Sequence, residues 1–215
     1  MSLTLYFHPL SSFCQKALVA LYETGAPFER HIVDLGEEKS RAAFLEIWPI
    51  GKFPVLRDES RDRLIQESSI IIEYLAQHYP GKSALVPADP DAARQMRLRD
   101  RVFDLYVNTP MGKIVTDRLR PAGKNDPFGV EQAKAQLETA LGMIDRKMGP
   151  STWIMGETFT MAACAAAPAL FYANMVLPFT GSHKALAGYF SRLMQRPSFA
   201  REIEDAQPYF KMMPK

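Results

Sequence analysis

Near its start the chain reads LTLYFHPLSSFCQKALVAL over residues 3–21, a short β-prone run followed by a helical pattern. Leu3–Phe7 is rich in strand-forming residues, and Pro9 then ends the run because proline cannot donate to a ladder. Apolar residues recur at helical spacings from Phe13 to Leu21, and Gly25 stands where a helix is expected to end. The segment therefore predicts a strand, a tight turn and an amphipathic helix, which together form the first unit of an α/β domain.

The alternation of strand and helix signals continues to residue 80, in the order β-α-β-α-β-β-α. A stretch rich in proline and glycine follows, and we predict a linker over residues 81–91. No strand signal remains after it, so residues 1–80 are predicted to form an α/β domain and residues 92–215 an all-helical domain. The other predicted elements are strands over 28–35, from 53 and from 63, and helices over 39–47, 67–78, 92–120 with a kink at Pro110, 130–148, from 160, over 183–195 and over 198–205.

Length and composition limit the possible classes of protein. The 215 residues are 47% hydrophobic and 23% charged with a net charge of +2, which indicates neither a disordered chain nor a nucleic-acid-binding surface. Two cysteines, Cys14 and Cys164, provide neither a disulfide framework nor a zinc-binding spacing. The apolar stretch Met161–Phe179 is more typical of a buried core helix than of a membrane span. No basic, apolar leader opens the sequence, and we expect a cytoplasmic protein without a metal, a membrane anchor or a nucleic-acid partner.

Ser11, Ser12 and Cys14 stand at the predicted N-terminus of the first helix. Unpaired N–H groups and the positive end of the helix dipole favour an anion at this position. A serine hydroxyl here can donate a hydrogen bond to a bound thiolate, or it can simply cap the helix. A cysteine one turn into the helix can be a reactive thiol or a buried apolar residue.

Two further segments carry candidate binding residues. In Phe53-Pro54-Val55 the proline can adopt a cis peptide bond, which would leave the Val55 backbone groups free to pair with an extended, peptide-like ligand. Glu67 and Ser68 follow the fourth predicted strand, where Ser68 can bind a carboxylate at a helix N-terminus and Glu67 can accept from an amino group. The same two residues are also typical of an ordinary helix cap with a first-turn acid.

Taken together, these segments resemble a known family. The strand-turn-helix around Ser11 and the segments Gly51–Leu56 and Gln66–Ile70 occur in the order found in the glutathione-binding half of the cytosolic glutathione transferases. Trp153–Ala162 is similar to the helical-domain signature of that family, and Tyr189–Phe199 to its C-terminal segment. The resemblance covers essentially the whole chain. It implies a thioredoxin-like N-terminal domain, glutathione as co-substrate and a homodimer.

The resemblance also implies roles for particular residues. Ser11 matches the catalytic serine of the theta-like and zeta-like classes, Tyr6 matches the tyrosine used by other classes, and Ser12 is a third candidate. The implied glutathione contacts are Lys39 and Lys52 for the glycyl carboxylate, Phe53, cis-Pro54 and Val55 for the cysteinyl part, Glu67 and Ser68 for the γ-glutamyl end, and Asp100, with Asp104 as the alternative, for the γ-glutamyl amine across a dimer interface. Either acid is equally compatible with a salt bridge on the helix surface.

We therefore expect an enzyme that lowers the pKa of the glutathione thiol and directs the thiolate to a hydrophobic electrophile. Other interpretations are glutathione-dependent isomerisation or dehalogenation at the same site, a non-catalytic binding or scaffold protein with this fold, and a thiol–disulfide reductase that uses Cys14. The electrophile pocket is predicted in the helical domain, with candidate walls that are equally typical of a core: Phe103, Tyr106, Val107, Met111 and Val115.

One departure from the family concerns the helix that Thr160 opens. The family usually has an acid three residues after this position, which completes a capping box, and Ala163 stands there instead. The reciprocal hydrogen bond is therefore predicted to be absent, at a cost on the order of 1 kcal/mol to folding.

Overall fold

The computed structural model describes residues 2–214, and its first part is an α/β domain built on one four-stranded sheet. The sheet order is β2-β1-β3-β4, with β2 parallel to β1, β3 antiparallel to β1 and β4 antiparallel to β3. This arrangement confirms the predicted thioredoxin-like domain and its order of elements. The elements are β1 (Leu3–Phe7), α1 (Ser12–Thr24), β2 (Phe28–Ile32), α2 (Glu38–Ile47), β3 (Val55–Asp58), β4 (Arg63–Gln66) and α3 (Ser68–His78).

The two faces of the sheet pack against different helices. Leu3, Leu5 and Phe7 alternate along β1 and are buried in one core cluster with apolar residues of α1 and α3. Tyr6 points to the opposite face, where it packs on a second, smaller cluster that includes Phe44 of α2. Period-two alternation in β1 therefore buries both faces of the sheet and leaves the loop after β1 at its edge.

Strand β2 is shorter than the predicted strand over 28–35. Val33 N–H still donates to the Phe7 carbonyl at 2.8 Å, but Phe7 is the last residue of β1. Beyond that point no β1 backbone remains for pairing, and Asp34 turns the chain by accepting from Gly36 N–H. The end of β2 is thus set by Pro9 in the neighbouring segment, which is not visible in the local pattern of β2 itself.

The second part of the described chain is entirely helical, as predicted. Residues 79–89 connect it to α3, and Leu85 in this connection accepts a hydrogen bond from Met161 N–H at 2.9 Å. The helices are α4 (Pro90–Val102), α5 (Thr109–Asp117), α6 (Pro127–Lys147), α7 (Met161–Val176), α8 (Lys184–Gln195) and α9 (Pro197–Ala206), and a 3₁₀ segment follows over Gln207–Met212.

The helical run is irregular just before Pro110, the residue at which a kink is predicted. A π-helical segment over Phe103–Asn108 joins α4 to α5. Thr109 N–H donates to the Asp104 carbonyl, five residues back, immediately before the proline. Because Pro110 has no N–H, the wider preceding turn accommodates its ring without ending the helical run.

Helix α6 starts earlier than its sequence predicts, whereas helix α7 agrees with its prediction. Helix α6 begins three residues before the predicted start, because Asp126 caps it by accepting from Gly129 N–H at 2.9 Å and Pro127 occupies the first turn. Helix α7 is buried nearly all round and forms part of the main core, as predicted for the apolar stretch. Within residues 2–214, no helix combines the length and the apolar character needed to cross a membrane.

Candidate active site

Ser11 is the N-cap of α1. Its Oγ accepts from Cys14 N–H at 3.4 Å, and its own backbone N–H donates to the His8 carbonyl at 3.0 Å. Within residues 2–214, the Ser11 hydroxyl donates no hydrogen bond. The capping role is therefore present, and it uses only a lone pair of the oxygen, so the hydroxyl remains able to donate to a ligand.

Ser12 has a different environment. Its Oγ donates to Asn108 Oδ1 at 2.8 Å, and Asn108 is buried at the end of the π-helical segment. The hydrogen bond joins the first turn of α1 to the helical domain. The Ser12 proton is thus already engaged by the protein.

Tyr6, the other candidate for thiol activation, lies on the second face of the sheet. Its ring packs at 4.8 Å from the His31 ring and 6.4 Å from the Phe44 ring, measured between centroids. These contacts belong to the cluster beneath α2 and not to the N-terminus of α1.

A cavity of about 160 Å³ lies where several of the predicted binding segments meet. The Phe53–Pro54 peptide bond is cis, as predicted, and both residues contribute to the lining. Lys39 is exposed at the start of α2 and does not line this cavity. The lining residues are Phe13, Trp48, Lys52, Phe53, Pro54, Glu67 and Ser68.

Glu67 has the most unusual backbone of this site. Its φ of 67° and ψ of 121° are rare for a residue with a side chain, and such a conformation costs on the order of 1–3 kcal/mol. The side chain is exposed and makes no cap to α3, whereas Ser68 is buried at the first position of that helix. The ordinary helix cap is therefore not formed, and the Glu67 carboxylate is free to face a ligand.

The position of Val55 inside the sheet does not support the prediction that its backbone pairs with an extended ligand. Val55 is buried in β3 and is paired with Tyr6 on one side and Gln66 on the other. Because an internal strand uses its N–H and C=O groups in the ladder, they are not available to a ligand. Phe53 precedes the strand, and its N–H and C=O make no backbone hydrogen bond within the described chain.

Asp100 and Asp104 are neither free nor on the surface. Lys16 of α1 is buried between them, with Nζ 2.6 Å from Asp100 Oδ1 and 2.8 Å from Asp104 Oδ2. Ser69 donates to Asp100 at 2.7 Å, and Arg101 contacts both acids. Both side chains therefore belong to an ion-pair cluster between the two domains, which is more buried than the predicted surface salt bridge.

The predicted walls of the electrophile pocket are divided between core and surface. Phe103, Val107 and Met111 are buried in the main core, and Val115 packs against it. Tyr106 is 48% exposed and lines a separate apolar cavity of about 520 Å³ between α4 and α6. The structure does not bring these five side chains together around the cavity that Phe53 and Ser68 line.

The structure adds His8 to the site, which sequence reasoning missed. Its ring is stacked on Phe53 at 6.0 Å and meets the edge of Tyr209 at 6.1 Å, and its Nδ1 accepts from Leu10 N–H at 3.2 Å. Burial lowers the pKa of His8, with partial opposition from the Asp34 carboxylate. The only local signal was the histidine between a strand and Pro9; its partner Tyr209 is two hundred residues away in the chain.

Cys14 is not a reactive thiol in this environment. The side chain is fully buried, and burial raises its pKa to about 12. A protonated, inaccessible thiol is unsuited to disulfide exchange, which requires the thiolate. Cys164 is likewise buried, in α7. Within residues 2–214, no group of three or more His, Cys, Asp or Glu side chains is arranged to hold a metal.

Together, the fold and the cavity define a thioredoxin-like domain with a small site lined by aromatic, polar and charged side chains, joined to a helical domain. The family model for the glutathione S-transferase N-terminal domain matches residues 5–83, and that for the C-terminal domain matches residues 127–195. A glutathione S-transferase of Pseudomonas putida is 30% identical over 160 residues, which cover 74% of this chain and 70% of that protein. The chain belongs to the glutathione S-transferase family.

Other relatives extend the comparison over nearly the full length. A stringent starvation protein A homolog of Histophilus somni is 28% identical over 208 residues, which cover 96% of this chain and 92% of that protein. A solved glutathione S-transferase of Methylobacillus flagellatus with GSH bound has a TM-score of 0.85 and 25% identity, covering 94% of this chain and 98% of that one. The similarities therefore include one protein solved with glutathione and one whose name refers to starvation.

Proposed function

We propose that the protein is an enzyme that binds reduced glutathione beside the N-termini of α1 and α3 and directs its thiolate to a hydrophobic electrophile. The observation that carries the proposal is the cavity in which Lys52, Phe53, Glu67 and Ser68 meet. Glutathione has two carboxylates, one amino group and a peptide backbone, and these four residues offer a complement to each.

The match is chemical at each point. Lys52 is a cation for the glycyl carboxylate, and the unpaired backbone of Phe53 suits the cysteinyl unit, as in strand addition. Ser68 and the N-terminus of α3 suit the γ-glutamyl carboxylate. The exposed Glu67 carboxylate suits the amino group. The strained Glu67 backbone supports this assignment, because such strain is concentrated at ligand-binding sites.

Ser11 is the residue we assign to thiol activation. Its hydroxyl proton is available, whereas the Ser12 proton is donated to Asn108 and Tyr6 packs under α2. A free cysteine thiol has a pKa near 8.5, and a hydrogen bond from Ser11 together with the α1 dipole lowers it. Each unit of lowering corresponds to about 1.4 kcal/mol of thiolate stabilisation.

The reaction forms a bond between the glutathione sulfur and an electrophilic carbon of the second substrate. The proton of the thiol leaves to solvent, and the electron pair displaced from the electrophile leaves with a leaving group or is taken up as a carbanion that solvent protonates. Isomerisation and dehalogenation begin with the same thiolate attack. They differ in releasing glutathione again in a later step.

We also assign a homodimer to the protein. Ile70 on α3 is 54% exposed, and Leu98 of α4 and Leu105 of the π-helical segment are 50% and 47% exposed. Tyr106 beside them lines the apolar cavity against α6. A second copy of the chain packed on these exposed apolar side chains would remove them from water. Sedimentation at equilibrium is expected to give twice the mass of the chain, 24.2 kDa.

The first experiment is isothermal titration of the protein with reduced glutathione and, in parallel, with S-hexylglutathione. Binding of both, with the alkyl derivative tighter, is expected for an enzyme with an apolar site beside the sulfur. If neither binds at millimolar concentration, the activity is excluded and a non-catalytic protein with this fold remains. With electrophiles that are turned over, consumption of glutathione indicates conjugation, and its full recovery indicates isomerisation or dehalogenation, which release of halide distinguishes.

A further inference from the structure

The buried side-chain amide of Gln15 donates a hydrogen bond to the loop that carries Ser11. Gln15 of α1 is fully buried, and its Nε2 donates to the Pro9 carbonyl at 2.9 Å and to the Tyr172 hydroxyl at 3.0 Å. Pro9 lies two residues before Ser11, and Tyr172 lies on α7. One side chain therefore ties the active-site loop to the helical domain.

The oxygen of the Gln15 amide lies near a buried carboxyl group, that of Glu202. Gln15 Oε1 and Glu202 Oε2 are both buried oxygens without a hydrogen-bond partner in the part of the chain that the structure describes. Glu202, on α9, is 1% exposed and lies beside the Gln15 side chain. Both protons of the Gln15 amide are already donated, so a proton on Glu202 is the donor that satisfies the two oxygens together.

The charges around Glu202 favour this protonated form. Arg30 of β2 and the hydrogen-bonding contact with Gln15 both lower the pKa of Glu202, but Arg30 is paired with Asp205 at 2.7 Å, and Asp205 repels a second carboxylate. Burial, together with Asp205, raises the pKa of Glu202 to about 8. The titratable neighbours on α1 and α7, Cys14 and Tyr172, also have raised pKa values because they are buried, and they stay uncharged.

We propose that Gln15 is a positioning residue for Ser11, and that Glu202, as a neutral carboxylic acid, fixes the Gln15 amide with its N–H groups toward Pro9 and Tyr172. Ionisation of Glu202 leaves a carboxylate that competes for those N–H groups. The amide then turns away from the Pro9 carbonyl, and the Ser11 loop loses its anchor. The effect on glutathione chemistry rests on the proposed function, whereas the anchoring of the loop does not.

The test uses Glu202→Gln, which has the shape of the neutral acid and can donate to Gln15 Oε1 but cannot ionise. In the unmodified protein, kcat/KM for glutathione is expected to fall as pH rises through the ionisation of Glu202. Glu202→Gln is expected to abolish this fall and to keep the rise at lower pH that reports the thiol. A fall of the same size and midpoint in Glu202→Gln overturns the proposal.

A second variant tests the anchor directly. Gln15→Leu is expected to lower kcat/KM by about tenfold, the factor that corresponds to one net hydrogen bond. The double variant Gln15→Leu/Glu202→Leu replaces the polar pair by an apolar one and serves as the control for stability, because it leaves no orphaned carboxylate. The loss of kcat/KM is expected to persist in the double variant, and its recovery there overturns the positioning role.

Amide hydrogen exchange over residues 8–14 distinguishes a failure of this proposal from a failure of the proposed function. Ser11 N–H, which donates to the His8 carbonyl, is expected to exchange faster in Gln15→Leu than in the unmodified protein at the same pH. Glu202→Gln is expected to protect it above the ionisation of Glu202. Equal exchange in all three proteins overturns the proposal, whether or not the protein turns glutathione over.

Discussion

At the scale of single residues, Ser11 and Ser12 are neighbours with opposite hydrogen-bond assignments. The Ser11 oxygen accepts a hydrogen bond from the backbone, and its hydroxyl remains free to donate one. The Ser12 hydroxyl already donates a hydrogen bond to Asn108 across the domain boundary. The sequence identified both serines, and only the family resemblance favoured Ser11; the local residues could not distinguish the two, because Asn108 lies 96 positions further along the chain.

This difference predicts unequal effects of the two alanine substitutions. Ser11→Ala is expected to raise the pKa of bound glutathione by about one unit or more and to lower kcat by at least about tenfold at neutral pH, because the donor to the thiolate is removed. Ser12→Ala is expected to leave that pKa nearly unchanged. Ultraviolet titration of the bound thiolate measures both. Equal pKa shifts in the two variants would show that Ser11 has been assigned wrongly.

The buried Glu202 carboxyl predicts how stability depends on pH. Its pKa is raised from 4.5 to about 8 in the folded protein, so the folded state holds the proton more tightly than the unfolded state. The contribution of Glu202 to the free energy of unfolding is therefore complete below pH 4.5 and is lost progressively as pH rises to about 8. Glu202→Gln is expected to flatten this part of the profile, measured by urea unfolding between the two pH values. A slope identical to that of the unmodified protein contradicts the assignment.

At the scale of elements, the local sequence patterns predicted most helices and strands. They did not predict the features that depend on neighbouring elements of the fold. The turn at Pro9 depends on a few adjacent residues and could be identified from the sequence. The cis bond before Pro54 and a ligand-facing Glu67 were possible interpretations of the local residues, and the family resemblance favoured them. The end of β2 depends on where β1 stops, and the π-helical segment depends on how the chain accommodates Pro110. Phe103 and Val107 were recognised as one apolar face, but periodicity does not say whether that face meets the core or a pocket.

Helix α7 begins without a capping box, and this makes the contribution of Thr160 to stability testable. Thr160 is buried, makes no side-chain cap, and its Oγ1 has no partner within residues 2–214. Thr160→Val is therefore expected to raise the free energy of unfolding by about 1 kcal/mol, because an unsatisfied buried hydroxyl is removed. Thr24→Val is the matched control at another helix end, since Thr24 Oγ1 donates to the Leu21 carbonyl at 3.0 Å. Chemical unfolding should show stabilisation by the first change and destabilisation by the second; destabilisation by both contradicts the prediction.

At the scale of the whole molecule, the two domains meet along a polar seam. Ser12 and Lys16, one turn apart on α1, face Asn108 and the pair Asp100 and Asp104, which are spaced by four residues on the opposing helix. The seam joins α1, which Ser11 caps at its N-terminus, to the helical domain. The sequence contained these residues, but the paired residues are between 84 and 96 positions apart in the chain, from Lys16–Asp100 to Ser12–Asn108, which no local pattern can reveal.

The buried cation in this seam predicts a large effect of one substitution. Lys16→Met leaves Asp100 and Asp104 buried, with the half-exposed Arg101 as the cation that still contacts them, and removing one partner of a buried ion pair typically costs about 3–5 kcal/mol. The control is Arg97→Met, which removes the surface pair with Glu73 and is expected to cost less than about 1 kcal/mol.

Urea unfolding of the two variants measures the difference, and a triple variant identifies its cause. Adding Asp100→Asn and Asp104→Asn to Lys16→Met removes the unpaired charges and is expected to restore a large part of the lost stability. If the triple variant is no more stable than Lys16→Met, the loss comes from packing of the lysine stem and not from stranded carboxylates. If Lys16→Met costs no more than Arg97→Met, the seam contributes little, and the domains are held together by their other contacts, among them those of α1 with α7 and α9.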